Sequence, residues 1–503
     1  MILSGIVCEL MGQFPYPIGA PLLISLLLIS LRTKPSVEDA ADGHIKKFIM
    51  LMAIFTTAYL HLSSSSLYFF GDSTIVYSYQ AMYLLCVLLL IPTWKKSILF
   101  SLPIFLTLMA YKADIGRAVG HPVSGTDWKI IAELPVLLVI ALTLLKSRYG
   151  ILIKVSKQEA TIFAVLTAFS LHFANYLYAG LSKVYIAGLS WVHNPTLNIT
   201  RASVALEQNP VLDLMMQYFD IRGVLPIIEP FVTEANIAVL ALQLLCILGL
   251  VFWRSLLLWL LLFDILHIAI FFFSGIFFYK WIFLNIALIA VVPVLVGAEK
   301  NITLRRYQND SFAIGSPLLK IYAIVFCLLS GVFFYVPQLG WLDGKLVPRI
   351  SVQLVNADGT KISVPSNFFL AQSVNFGQHR IPGVSTSPYR AFGAVRAENE
   401  FWECGRGPSF SSAVDLDAAQ QFFKNAVAAI NRVDATKGPL QVDHYPHHIW
   451  SNLRTDMSSS AASEAVSVKF SRDLLCVAGE VGDYEVIHSE WHEVHLDDNK
   501  ERR

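Results

Sequence analysis

Long apolar runs separated by short polar joints dominate the first two thirds of the chain. Runs of about 17–25 residues, the length that crosses a bilayer core as a helix, recur near 48–70, 75–93, 129–145, 160–190, 234–253, 255–274, 276–297 and 317–337, with a shorter one at 97–111. The opening stretch, MILSGIVCELMGQFPYPIGAPLLISLLLISLRTK, lacks the basic start and small-residue cleavage site of a secretory signal and reads as an uncleaved first span. This pattern predicts about ten spans. From about Gly340 it gives way to that of a soluble domain. Alternating runs at Ser351 to Val355 and Lys361 to Val364 flank Asn356-Ala357-Asp358-Gly359 and predict a β-hairpin. Val414 to Val433 has helical periodicity, and Leu440–Trp450, Val466–Phe470, Leu474–Val477 and Tyr484–Leu496 lean to strand. The fold class that follows is an all-α polytopic membrane bundle over 1–339 and a small extracytoplasmic α+β domain over 340–503.

Basic residues set the expected orientation. Arg32, Lys34, Lys46 and Lys47 share one joint, Lys95 and Lys96 another, and Lys146, Arg148, Lys154 and Lys157 a third; Arg254 and then Lys300, Arg305 and Arg306 follow. Every second joint is basic, so these face the cytoplasm. The alternate joints, 71–74, 112–128, 191–233 and the turn near Gly275, then lie outside with everything after about Gly340. Within 191–233, Val204, Leu206, Val211, Leu212, Leu214, Met215 and Tyr218 have the spacing of an amphipathic helix on that outer surface. Asn198-Ile199-Thr200 there has the form of a glycosylation acceptor.

Composition agrees with a multi-pass protein of the inner or plasma membrane, in contact with lipid: 55% of the residues are hydrophobic, 15% are charged and the mean hydropathy is +0.55. A net charge of +1 with no basic stripe excludes nucleic acid as a partner. The six cysteines form no CxxC, which disfavours thiol redox chemistry and a cysteine zinc site. Cys404 and Cys476 fall in the outer domain, where pairing is open to them.

Ionisable groups inside spans are costly, so those present are candidates for function. The richest stretch is SLHFANYLYAGLSKVYIAGLSW, residues 170–191. His172 and Lys183 are eleven residues apart, about 20° around a helix, with Asn175, Tyr176 and Ala179 on the same stripe. That stripe points inward, and Ala179 and Gly180 leave room on it for a neighbouring backbone or a ligand. A desolvated Lys183 offers a neutral amine as a base; a structural ion pair with Asp114 or Asp264 is the competing role. Asp264 and His267, three apart, share a helix face, so the carboxylate is placed to orient the imidazole or simply to stitch helices together. His61, Glu133 and Lys280 also lie in spans, Lys280 close enough to the outer boundary to reach water. The 112–129 loop adds Asp114, Arg117, His121 and Asp127 among three glycines, a segment able to fold over a cavity mouth or to serve as a solvated connector. Two histidine groups, His444, His447, His448 and His488, His492, His495, lack a diagnostic metal spacing, and no metal site is assigned.

NYLYAGLSKVYIAGLSWV resembles a motif of the HTTM domain family, the membrane part of vitamin K-dependent γ-glutamyl carboxylase and its bacterial relatives: an aromatic run, AG, an aliphatic residue and a lysine, then a tryptophan. FDILHIAIFFFSGIFFYKWIFLNIALI is similar to that family's later helix pair. The likeness covers roughly 170–297. It departs at Ser182, where the carboxylase has a second lysine, and at the glycine-rich 112–128 loop. The resemblance implies a many-helix fold with its cavity open to the outer side. It also implies vitamin K hydroquinone or another quinol as cofactor, and a lyase or epoxidase type of chemistry in which the motif lysine is the base. Carried over, that role falls on Lys183, and His267 matches the histidine of the later helix. His172, Asn175, Tyr176, Asp264, Asp114, Arg117 and His121 would line the cavity, and an exported peptide would be modified. The alternative is a non-catalytic membrane protein that binds an exported peptide or helps it mature.

Overall fold

One long helix, α1 (Lys157–Ala187), forms the centre of the bundle in the computed structural model, which describes residues 43–45, 47–48, 51, 157–193, 195–205, 227–274, 278–307, 316–334, 345–364, 384, 404, 413–431 and 464–496. The expected spans at 1–34, 75–93, 97–111 and 129–145, nearly all of the one at 48–70, and the 112–129 loop lie outside these residues. After α1 come α2 (Pro195–Ala205), α3 (Val232–Leu245), α4 (Ile247–Val251), α5 (Leu256–Ser274), α6 (Tyr279–Ile289), α7 (Val292–Tyr307) and α8 (Ser316–Phe334).

The protein is mostly helical among the described residues, and four of its helical stretches are long and apolar enough to cross a membrane: Ile162–Tyr185, Glu229–Val251, Trp253–Ser274 and Trp281–Glu299. The expected span at 317–337 is helical as α8 up to Phe334, with Pro317–Ser330 apolar, and 335–337 lie outside the described residues. Burial ranks the four. In the first, 78% of the most apolar window is buried within the protein, against 33, 28 and 44% for the others. Helix α1 is central because both of its sides are covered, by α8 and by α3. Gly180 eases the α3 contact: a Cβ there would meet Gln243 Cβ and Leu244 Cδ2 at 3.0 Å, so glycine lets the two helices approach this closely without a neighbour giving way. Outward, α5 exposes Leu257, Leu258, Leu261, Ile265, Ile268 and Phe272, an apolar surface along its whole length. At the bundle end near Arg254, Glu299 accepts from Lys320 at 3.1 Å and lies 3.7 Å from Arg254.

The C-terminal part contains a four-stranded antiparallel sheet in the order β2-β1-β3-β4, formed by β1 (Leu346–Asn356), β2 (Lys361–Val364), β3 (Ala465–Cys476) and β4 (Glu485–His495). The hairpin forms where the turn signal placed it, with Val355 opposite Lys361 and Asp358 accepting from the Thr360 backbone N–H at 2.8 Å. Helix α9 (Leu416–Asn431) covers one face, its Phe423 ring 5.4 Å from that of Phe470. The two strands expected at 466–470 and 474–477 are one continuous strand, β3. Ser471, Arg472 and Asp473 look like a break but are held inside the sheet. Arg472 pairs with Glu490, and Asp473 accepts from Ser351 at 2.9 Å, Ser489 at 2.7 Å and Arg349 at 3.3 Å. The partners that Arg472 and Asp473 find on the neighbouring strands let these buried polar groups stay within the strand.

Cys404 and Cys476 form a disulfide, Cα to Cα 5.5 Å. Beside it, Val347, Leu475 and Val477 pack with Ala202 and Ala205 of α2, and Ile199 and Phe278 join them. The sheet therefore rests on the end of the bundle formed by α2 and the residue preceding α6. Of the amphipathic helix expected through Val204, Leu206 and on to Tyr218, only Val204 falls in α2; Leu206 to Tyr218 lie outside the described residues. Asn198 and Thr200 are 2% and 1% exposed, which closes the glycosylation triplet to an enzyme acting on the folded protein.

Candidate functional site

Where α1, α5 and α6 meet, five polar side chains converge. His172 Nε2 lies 2.6 Å from Asn285 Oδ1. The Asn285 amide nitrogen donates to Asp264 Oδ1 at 2.6 Å and points at the Tyr176 hydroxyl at 3.4 Å. Tyr176 in turn lies 2.9 Å from His267 Nε2. His172, Tyr176, His267 and Asn285 are buried, and Asp264 is half-buried. Each position follows from helix period: His172 and Tyr176 are four apart on α1, and Asp264 and His267 three apart on α5.

Aromatic rings enclose the cluster. Phe263 stacks on Tyr176, centroids 3.5 Å apart and planes within 5°. The Trp281 ring lies 5.8 Å from His172, 5.5 Å from Tyr176 and 5.8 Å from His267. Phe278 is 5.4 Å from His267 and also belongs to the contact with the sheet, so one ring touches both the cluster and the sheet.

The structure thus brings His172, Tyr176, Asp264 and His267 together and treats the other sequence candidates differently. Asn175 turns back on its own helix and donates to the Leu171 carbonyl at 2.9 Å. Asp264 does not orient His267 directly: Asp264 is bonded to Asn285, His267 Nε2 to Tyr176, and His267 Nδ1 has no hydrogen-bond partner among the described residues. The link between them runs through Asn285 and Tyr176. Lys183 is seven residues beyond Tyr176 on α1, about 10 Å along the axis. Its Nζ donates to the Ala179 carbonyl at 3.4 Å and sits 5.1 Å from the Trp191 ring centroid, a cation–π contact toward the end of the helix. Asp114, Arg117 and His121 lie outside the described residues.

Asn285 and Trp281, four apart on α6, are the site residues that the sequence reading passed over. An amide in the middle of WIFLNIALI was the available signal, since a polar side chain in an apolar span needs a partner.

In the sheet, His488 and His492 flank Glu490 on one face of β4, while His444, His447 and His448 lie outside the described residues. Among the described residues, no group of three or more His, Cys, Asp or Glu side chains is placed to hold a metal ion. Burial, helped by the Arg472 charge, holds His492 below its ordinary 6.5 against the pull of Glu490. Burial pushes Glu490 up, but Arg472 and His488 outweigh it and hold the carboxyl below its ordinary 4.5. Both groups take up protons less readily folded than unfolded, so their contribution is complete above the unfolded values and is lost as pH falls. Sheet stability should therefore decline from about pH 6.5 as His492 becomes protonated in the unfolded chain, and further below 4.5 as Glu490 does. Hydrogen exchange of peptides within 465–495, corrected for the intrinsic pH dependence of exchange, measures this. His492→Gln should flatten the upper part of the profile.

Compared with family models, with curated proteins and with solved structures, the chain gives no match.

Proposed function

We propose that the chain is a multi-pass membrane protein of about ten spans, similar to the HTTM family, that uses a lipid-soluble quinol and Lys183 as base to modify an exported peptide. The observation that carries this reading is the buried network of His172, Tyr176, Asp264, His267 and Asn285, on the same side of α1 as Lys183. Stitching two helices together needs one or two hydrogen bonds. Five polar groups from three helices, enclosed by Trp281, Phe263 and Phe278, make a polar centre with aromatic walls, which suits a flat apolar molecule with polar ends. A quinol seated at the cluster and reaching along the same stripe of α1 brings an acidic hydroxyl toward Lys183, about 10 Å beyond Tyr176. In this reading the amine accepts its proton there, beside the Trp191 ring.

The orientation with the sheet outside the cytoplasm draws support from the Cys404–Cys476 disulfide, since such bonds persist in oxidising compartments. It is also consistent with the sheet resting at the end of the bundle where α1 finishes and Lys183 lies, opposite the Arg254 end.

The test is a pair of substitutions. As a neutral base, Lys183 cannot be replaced by a guanidinium, which stays protonated. Lys183→Arg should then abolish peptide modification while leaving folded yield and thermal stability near wild type. An active, stable Lys183→Arg protein would refute the base role. If Lys183→Ala in addition lowered stability, a structural cation over Trp191 would be the better account. The non-catalytic reading, in which an exported peptide is bound, has one observation in its favour. Strand β4 ends the sheet among the described residues and exposes Val486 and Trp491, with Tyr484 exposed just before it, a surface on which an extended peptide can lie.

A further inference from the structure

Two nitrogens of the cluster, His172 Nδ1 and His267 Nδ1, are buried and have no hydrogen-bond partner among the described residues. Their chemistry follows from Asn285. A carboxylate only accepts, so the group facing Asp264 must be the Asn285 NH2, which turns Oδ1 toward His172. That oxygen also only accepts, so His172 carries its hydrogen on Nε2. In the neutral ring this leaves a bare lone pair on Nδ1. The second amide hydrogen points at the Tyr176 oxygen, which accepts it and directs its own O–H to His267 Nε2. His267 Nε2 is therefore the acceptor, and the hydrogen of that ring sits on Nδ1. One orphaned nitrogen is an acceptor and the other a donor, on rings that each lie 5.8 Å from Trp281.

We infer that the cluster is a binding site for a small, neutral, ring-bearing apolar molecule that presents a hydroxyl to His172 Nδ1 and an oxygen acceptor to His267 Nδ1–H. This rests on the reading of a lipid-soluble substrate in the bundle and specifies how it is recognised. A neutral ligand fits this pair, since one free nitrogen accepts and the other donates, and an anion would be repelled by the Asp264 carboxylate beside Asn285. The rings of Trp281, Phe263 and Phe278 supply the apolar contact. Asn285 acts as a positioning residue: it sets which nitrogen of each histidine is free, and touches the ligand through neither.

The probe is 4-hydroxybenzophenone, which has both polar groups and labels its surroundings covalently on illumination. With full-length protein in nanodiscs, labels should map to peptides containing residues 172–176, 263–267 and 278–285. 4-Methoxybenzophenone, which has no donor, and 4-benzylphenol, which has no carbonyl, should each bind about tenfold more weakly, the ratio expected for losing one buried hydrogen bond. His172→Phe should equalise the hydroxy and methoxy compounds while keeping the preference for the carbonyl. His267→Phe should do the converse. These are ratios within one protein, so a loss of stability does not imitate them, and the wild-type ratios stand without any variant. Equal affinities in the wild type, no binding, or labels confined to other segments would overturn the inference. Lys183→Arg separates the two proposals: discrimination that survives in an inactive Lys183→Arg protein leaves the recognition pair standing whatever becomes of the quinol chemistry. Quinol-dependent modification without discrimination removes the recognition pair alone.

Discussion

Asn285→Leu should destabilise the protein by about 2–5 kcal/mol, the sum of two buried neutral groups and one half-buried carboxylate left without their partner. Leucine has the same branched heavy-atom skeleton with bulkier methyl ends, so it leaves no cavity, and the lost hydrogen bonds are the main cost. Asp264 loses the amide at 2.6 Å, His172 loses its acceptor at 2.6 Å, and Tyr176 loses the donor at 3.4 Å, the last two at buried positions where an unmet polar group is costly. Thermal unfolding of the purified protein measures the effect. The asymmetry of hydrogen-bond energetics gives a second arm: removing both partners together is far less costly than orphaning one. The Asp264→Leu, Asn285→Leu double variant should therefore recover part of the stability that Asn285→Leu loses. A change below about 1 kcal/mol for Asn285→Leu would mean that these groups are solvated in the folded protein and would remove the basis of the buried network.

Gly249→Val should be nearly as damaging, for a steric reason. A Cβ at Gly249 would lie 2.6 Å from Phe173 Cε2 and 2.7 Å from Trp259 Cδ1, closer than carbon atoms approach. Phe173 is fully buried and has little room to yield: its ring meets Phe263 edge to face at 5.3 Å and Phe169 at 6.0 Å. Overpacking of this kind costs about 1–3 kcal/mol, and the β-branched valine belongs at or above the top of that range. The strain would travel through Phe263, which stacks on Tyr176, so the cluster should loosen as well. Gly297→Ala is the control. Nothing lies within 4 Å of a Cβ there, and an exposed helical glycine exchanged for alanine should gain up to about 1 kcal/mol. Opposite signs in thermal unfolding for the two glycines are the expected result. A Gly249→Val protein as stable as wild type would mean that the α1 to α4 packing is looser than these contacts.

The features legible in the chain are the local ones. Apolar runs long enough for a bilayer, the polar stripe through His172 and Tyr176 on α1, and the turn chemistry of Asn356 to Gly359 depend on neighbours a few residues away, where backbone period decides which side chains share a face. Tertiary packing decided what that stripe meets. Asn285 is 113 residues from His172 and 109 from Tyr176, and its amide reaches both because α6 packs on α5, an approach set by side-chain packing and not by either helix's own period. The same cause parted Asp264 from His267. Their spacing put them on one face, but each found a partner on another helix. Lys183 shares the stripe by angle, yet a rise of 1.5 Å per residue carries it toward Trp191 and away from the cluster. In the sheet, Ser471, Arg472 and Asp473 looked like a break because polarity was visible in sequence and their partners on β1 and β4 were not. Cys404 and Cys476, left open by a separation of 72 residues, were brought to bonding distance only by the fold.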